Sequence, residues 1–379
     1  MTNGVLPAPR VNIDLGKLRH NARLVSGWAG KAGLEVFAVT KGLRGDPQAA
    51  RALLGGGVAG LADSRLSNLA RLQGLREETL NGRGRPRFLL LRAPSPAEAA
   101  ETLALSDAVL CASPETAESL ARALPAGRPY EVLLTVDFGD LREGLLPEDV
   151  PEAALALDRR LAAVSAERDP SRRVHVAGLA SNLACFCGVV PTVAHFVDLA
   201  RLARETGEKL GRPLRVSAGN TAALPLLLRR ELPPGLDDLR VGEGIILGRE
   251  SLHREPLPGC HLDAVTFWAT VIEIGRKPSA PSGELAEDAF GHRPVFVDRG
   301  HRLRALLAAG RQDIVPEGLK PLDEGIEVVG ATSDHLVVDI EDYPGPLAAG
   351  AELGFSVNYA CLLQAMTSPD VARVHVGEA

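Results

Sequence analysis

The sequence predicts an α/β fold: a (β/α)8 TIM-type barrel over residues 10–255, followed by a mostly β C-terminal domain over residues 256–379. Three observations carry that expectation. Over the first two thirds, short apolar, β-branched runs alternate with segments of helical periodicity, the mark of parallel strands joined by crossover helices. Eight such units over about 240 residues match the size of a barrel. After Leu247 the alternation stops, and from His261 strand-like runs follow one another with only turns between them. A doubly wound open sheet is the competing fold, but no G-x-G-x-x-G follows the first strand.

The barrel strands are expected at Val36–Thr40, Val58–Leu61, Arg87–Leu91, Ala108–Cys111, Glu131–Val136, Arg173–Gly178, Leu214–Ser217 and Leu239–Gly242. The helix before the first of these places Leu15, Leu18, Ala22, Val25 and Trp28 on one face, with Asp14 positioned as its cap. Asp46-Pro47, Ser95-Pro96 and Ser113-Pro114 each pair a capping side chain with a proline suited to the first helical turn. Arg254 to Gly259, with two prolines, reads as a linker. Beyond it, strands are expected at Asp263–Ile274, Pro294–Val297, Leu303–Leu307, Ile326–Val329, Leu336–Ile340 and Glu352–Val357. Lys277–Glu284 reads as an exposed hairpin or loop.

Bulk composition narrows the function classes. Hydrophobic residues make up 45% and charged residues 24% of the chain, ordinary for a soluble globular protein. A net charge of −6 argues against a nucleic-acid binder, which needs a basic face. No run is long and apolar enough for a bilayer, and the N-terminus has no apolar leader, so a cytoplasmic location and no membrane partner are expected. Five scattered cysteines suit a reducing compartment. Cys185 and Cys187 have no second pair at zinc spacing, so no metal is expected.

Lys41 is the most informative residue. It closes the apolar run Glu35–Thr40 in a chain with only six lysines among 42 basic residues. An amine at the end of an inward strand either snorkels to solvent or is kept for chemistry, and burial favours the neutral, nucleophilic form that a Schiff base requires. Barrel sites form at the C-terminal ends of the strands. Those ends bring Asp63-Ser64-Arg65, Asp137 to Arg142, Ser181-Asn182, Ser217-Ala218-Gly219-Asn220-Thr221 and Gly242-Glu243 around the amine. The glycine turns after strands seven and eight present backbone N–H groups and hydroxyls to an anion, at the usual phosphate seat of such barrels. Ser217, Asn220, Thr221, Gly242 and Glu243 are the candidates there; the alternative is that both turns are only tight connections. Lysine plus a phosphate cradle points to pyridoxal 5'-phosphate (PLP). Arg240 is placed for the cofactor's ring nitrogen, where a permanent cation disfavours protonation and favours simple Cα proton exchange. An ion pair with Asp237, Asp238 or Glu243 is its alternative use.

These residues resemble the fold-type III PLP enzymes of the alanine racemase class, and within it the ornithine racemase-like branch. The carriers are Ala38 to Lys41, Ala62 to Arg65, Val136 to Gly144, Asn182 to Phe186, Ser217 to Thr221 and Leu239 to Glu243. In the second domain they are Asp288 to Gly291, Gly310 to Asp313, Ser333 to His335 and Met366 to Pro369. The resemblance implies a head-to-tail homodimer acting on a small-molecule amino acid. It gives Lys41 the cofactor-lysine role and Arg240 the ring-nitrogen role, and it places Thr221, Gly242 and Tyr359 at the phosphate. Asn182 falls where many members carry a ring-stacking histidine. Arg142 matches the arginine that orients substrate, with Asp137 and Ser333 expected beside the substrate.

The chain also departs from the class. Thr135 replaces a lysine that is carbamylated in some members, which leaves Asp137 or Glu143 to hold Arg142. The G-Y-G-D-G-Y segment that bears the class's second base is absent, with Val297 to His301 in that region. Racemisation needs an acid/base on each face of the substrate carbon; His335 and Asp334 from a partner subunit are the candidates, with Cys185 as a further one. The expected activity is a two-base amino-acid racemase. A PLP lyase (a β-hydroxy-amino-acid aldolase or a decarboxylase) and a PLP homeostasis protein are the alternatives.

Overall fold

A computed structural model describes residues 8–78, 84–165 and 169–378. The chain divides into two compact units. One is a closed barrel of eight parallel strands: Glu35–Val39, Gly60–Asp63, Arg87–Leu90, Ala108–Leu110, Tyr130–Val136, Val174–Ser181, Arg215–Ser217 and Asp238–Val241. Inward side chains of alternate strand residues, among them Phe37, Val39, Ala62, Leu89, Leu110, Leu133 and Ala180, fill its interior. The three expected helix starts form as read: Asp46 accepts from Ala49 N–H at 2.9 Å, Ser113 accepts from Thr116 N–H at 3.2 Å, and Ser95 forms a capping box with Glu98.

The second strand is displaced from the expected Val58–Leu61. It runs Gly60–Asp63, because the polar Asp63 is held inside the barrel by hydrogen bonds that a hydropathy pattern does not reveal. Gly60 is required there: a Cβ would lie 2.3 Å from the Arg87 carbonyl oxygen. The segment expected as a linker packs on the barrel unit instead. Leu257 is buried, its N–H donates to the Gly248 carbonyl at 2.8 Å, and Pro256 bridges to Arg249.

The other unit is an eight-stranded, mainly antiparallel sheet ordered Leu319–Pro321, Glu352–Val357, Val265–Pro278, His301–Leu307, Leu336–Asp339, Glu327–Ala331. Arg10–Asp14 pairs antiparallel to Val265–Pro278 and parallel to Ala372–Val376. The first ordered strand therefore counts with this sheet rather than the barrel, and the division falls between His261 and Leu262 instead of at 255/256. Arg10–Asp14, Leu319–Pro321 and Ala372–Val376 lie outside the expected strand set. The expected strand Pro294–Val297 does not form: Val295 and Val297 are exposed and no neighbour pairs with them. A helix, Tyr359–Thr367, was also not anticipated. Asn358 caps it by accepting from Cys361 N–H at 2.9 Å, and Cys361, Leu362, Ala365 and Met366 face the core.

Candidate active site

The C-terminal mouth of the barrel gathers most of the expected residues. Lys41 lies one residue beyond the first barrel strand, after Thr40, and opens a short 3-10 turn, Lys41–Leu43, that ends at Arg44 in the left-handed region. Its neighbour Thr40 is locked: Thr40 Oγ1 donates to Asp63 Oδ2 at 2.7 Å, while Asn68 Nδ2 and Arg65 N–H each donate to Asp63 Oδ1 at 3.0 Å. Burial raises the Asp63 carboxyl above its ordinary value, against the pull of Thr40 and the other donors. This cluster fixes where the Lys41 side chain starts. Lys41 is half-buried as a residue, and its amine has no hydrogen-bond or ion-pair partner among the described residues.

The eighth and seventh strands supply a buried charged network. Arg240 donates to Ser217 Oγ and to the Ser181 carbonyl. Ser217 in turn donates to Asp238 Oδ1, and Arg215 Nε donates to Asp238 Oδ2 at 2.9 Å. Arg240, Ser217 and Asp238 are all buried. Burial pushes the Arg240 guanidinium down from its ordinary value and Asp238 opposes that shift. Arg240 thus forms no direct ion pair with its three expected alternatives: Asp238 is reached through Ser217, Asp237 accepts from Val216 N–H, and Glu243 pairs with Arg254 at 2.6 Å.

The phosphate candidates separate into two groups. Thr221 Oγ1 accepts from Gly244 N–H at 3.2 Å and keeps its own hydrogen to give. A Cβ on Gly242 would stand 3.1 Å from Val39 Cβ, so the backbone lies close against the first strand. Ser217, by contrast, has its hydroxyl engaged by Asp238 and Arg240, which moves it from the phosphate seat to the support of Arg240. Glu243 likewise turns its carboxylate to Arg254, and burial raises that carboxyl with Arg254 opposing; only its backbone remains for an anion. Asn220 is a bracing residue. Its Oδ1 accepts from Ala222 N–H at 2.8 Å, and its Nδ2 donates to Asn182 Oδ1 and the Leu183 carbonyl, each at 2.8 Å, and lies 3.2 Å from Cys185 Sγ. It ties the loop after strand seven to Asn182 after strand six.

Arg142 is exposed and is held by Glu143, with Nη2 donating to Oε1 at 2.7 Å. Asp137 plays no part in that grip: its Oδ1 accepts from Gly139 and Leu141 N–H at 2.8 and 3.2 Å and shapes the loop. Sequence reasoning passed over Asp140, which is buried and accepts from Phe186 and Cys187 N–H, both at 3.2 Å, joining the loops after strands five and six.

Within the β unit, Ser333, Asp334 and His335 form one exposed turn. Ser333 Oγ and Gln312 Nε2 both donate to Asp334 at 2.5 Å, and Thr332 Oγ1 accepts from His335 N–H at 3.0 Å. The turn rests on Gly310, where a Cβ would lie 2.1 Å from the Ser333 carbonyl oxygen. Both Asp334 oxygens being engaged, it orients the turn and His335 is the exposed imidazole. Tyr359 is half-buried in the first turn of its helix. Among the described residues no group of three or more His, Cys, Asp or Glu is placed to hold a metal, and no helix is long and apolar enough to cross a membrane.

An amine, a hydroxyl with a hydrogen to give, a close-packed glycine backbone and a buried guanidinium share one mouth. That donor set suits an anionic aldehyde cofactor such as PLP. Residues 13–249 match the family model described as alanine racemase, N-terminal domain. The chain is 35% identical over 371 residues to a lysine racemase of Thermotoga maritima, covering 97% of this chain and 98% of that one. It is 32% identical over 369 residues to an ornithine racemase of Acetoanaerobium sticklandii, covering 96% and 99%. In structure it is similar to an alanine racemase from D-cycloserine-producing Streptomyces lavendulae, with a TM-score of 0.71 over 99% of each chain at 20% identity.

Proposed function

The chain belongs to the alanine racemase family and is an amino-acid racemase, and from that premise we propose that it uses PLP to racemise free basic amino acids, lysine and ornithine foremost. The observation that carries the reading is Lys41, a half-buried residue whose amine has no protein partner among the described residues, at the mouth that also holds Arg240.

PLP, when bound, supplies the electron sink that makes a Cα–H bond acidic. Lys41 would hold the cofactor and exchange the Cα proton on one face. Thr221 Oγ1 and the backbone at Gly242 would receive the phosphate, and Asn182, braced by Asn220, would lie against the ring. Arg240 would face the ring nitrogen and keep it unprotonated. Arg142, steadied by Glu143, would take the substrate carboxylate. The opposite face needs a second proton carrier. We assign it to His335 of a partner subunit's β unit, oriented by the Ser333–Asp334 turn, in a head-to-tail homodimer. The five free cysteines fit a cytoplasmic protein.

The test is a panel of single L-amino acids incubated in D2O and resolved by chiral chromatography. Deuterium at Cα with inversion, strongest for lysine and ornithine, is expected. Carbon–carbon cleavage or decarboxylation without inversion would replace the racemase by a lyase. Arg142→Ala is expected to raise KM on the order of tenfold or more with a smaller loss in kcat, because the charge-assisted contact is present in the bound substrate as well as in the transition state. Equal KM in variant and parent, read from initial rates, would remove Arg142 from the substrate.

A further inference from the structure

Three adjacent barrel strands carry charged and hydroxyl residues on one face: Glu35 on the first, two residues before Phe37, Arg215 and Ser217 on the seventh, and Asp238 and Arg240 on the eighth. The register sets Ser217 opposite Asp238, and on the other side Asp238 opposite Glu35 and Arg240 opposite Phe37. Side chains then connect in a line. Glu35 accepts from Arg215 Nη2 at 3.2 Å, and Arg215 holds Asp238 at 2.9 Å. Asp238 accepts from Ser217, which accepts from Arg240. Arg215 also lies over the Phe37 ring, 5.2 Å from its centroid. Two carboxylates and two guanidiniums alternate, so the line is neutral as a whole.

A guanidinium as buried as Arg240 is strongly disfavoured unless it is paired and hydrogen-bonded. Its counter-charge here is Asp238, one hydroxyl away, while no carboxylate touches it. This leaves the guanidinium charged but not masked by direct ion pairing.

We propose that Ser217 and Asp238 are positioning residues for the racemase reaction: they hold Arg240 in place and cationic, so that the cofactor's ring nitrogen stays unprotonated and the substrate's proton goes back to Cα. The inference rests on the proposal that PLP binds with its ring nitrogen at Arg240. Its consequence is control over reaction type. With the ring nitrogen protonated, the electron pair released at Cα spreads further into the cofactor. The proton can then be delivered to the cofactor carbon instead of Cα. Water next releases a 2-keto acid, and the amino group stays on the cofactor as pyridoxamine phosphate. The amino acid is oxidised, the cofactor is reduced, and no further reactant is consumed.

The experiment uses the holoenzyme reconstituted with PLP labelled with 15N in its ring, in wild type, Asp238→Asn and Ser217→Ala. Two quantities are read: the 15N shift of the ring nitrogen, and the ratio of racemised product to pyridoxamine phosphate formed from L-lysine. Each variant is expected to move the shift toward the protonated form and to change the ratio toward pyridoxamine phosphate by about tenfold, the scale of one unit of pKa difference. A shift and ratio unchanged in both variants, whatever happens to melting temperature, would make the line purely structural and overturn the inference. A wild type that neither binds PLP nor racemises any amino acid would instead overturn the proposed function itself.

Discussion

Lys41→Ala is expected to lower racemisation by on the order of 10³-fold or more, since it removes both the covalent anchor and one of two proton carriers. The fold should survive the change. The Lys41 amine bonds to no described residue, and the cluster that shapes its turn, Thr40, Asp63 and Asn68, is left untouched. Stability should therefore shift by no more than about 0.5 kcal/mol, as for a substitution outside packed and paired features. Borohydride reduction of the PLP-loaded protein, followed by peptide mass mapping, gives a readout independent of turnover. The phosphopyridoxyl group is expected on Lys41 in the parent and on none of the other five lysines in the variant. Racemisation persisting in Lys41→Ala, with label on another lysine, would sink the assignment.

The largest stability effect is expected at Asp158, on the outer layer of the barrel. Its carboxylate accepts from Arg173 Nη2 at 3.0 Å and from Arg212 Nη2 at 2.6 Å, and Arg173 is buried. Burial alone would raise the Asp158 carboxyl, but Arg212 and Arg173 outweigh it and hold the group below its ordinary value. Asp158→Ala removes the carboxylate that stands between two guanidiniums, one of them buried. A loss of about 3–5 kcal/mol follows for breaking such a pair from one side. The pH dependence has a definite sign. The folded carboxyl titrates lower than the unfolded one, so its contribution is complete above the unfolded value near 4 and fades as pH falls through the lower folded value. Urea denaturation of parent and variant should show a wide gap at pH 7 that narrows in acid below about pH 4. A gap that stays constant into acid would mean that the carboxylate's charge is not what stabilises this corner.

Two residues of the candidate site stand out in the sequence alone. Lys41 stood out because one amine closed an apolar run in a chain that otherwise uses arginine, and Arg240 stood out because a charge sat inside a buried strand. What could not be read was which partner each polar group takes. Ser217 and Glu243 were grouped with Thr221 and Gly242 because all four lie at strand ends. In the fold, hydroxyl and carboxylate have other business, with Arg240 and with Arg254. The choice of Glu143 over Asp137 as the holder of Arg142 also depends on loop shape, since Asp137 is drawn back to the amides of Gly139 and Leu141.

By itself the sequence determined the eight-unit barrel and the β domain and singled out Lys41, because each rests on local periodicity or on the rarity of a residue type, and both are carried along the chain; the racemase chemistry was read from the resemblance of its motifs to a family. Only the tertiary structure decided that Arg10–Asp14 joins the C-terminal sheet, that Asp63 belongs inside a strand, and that Asp238 counters Arg240 through Ser217. Each of these is a pairing between residues distant in the chain. Strand register and hydrogen-bond competition in a low-dielectric interior select such pairs, and neither has a signature within any one stretch of sequence.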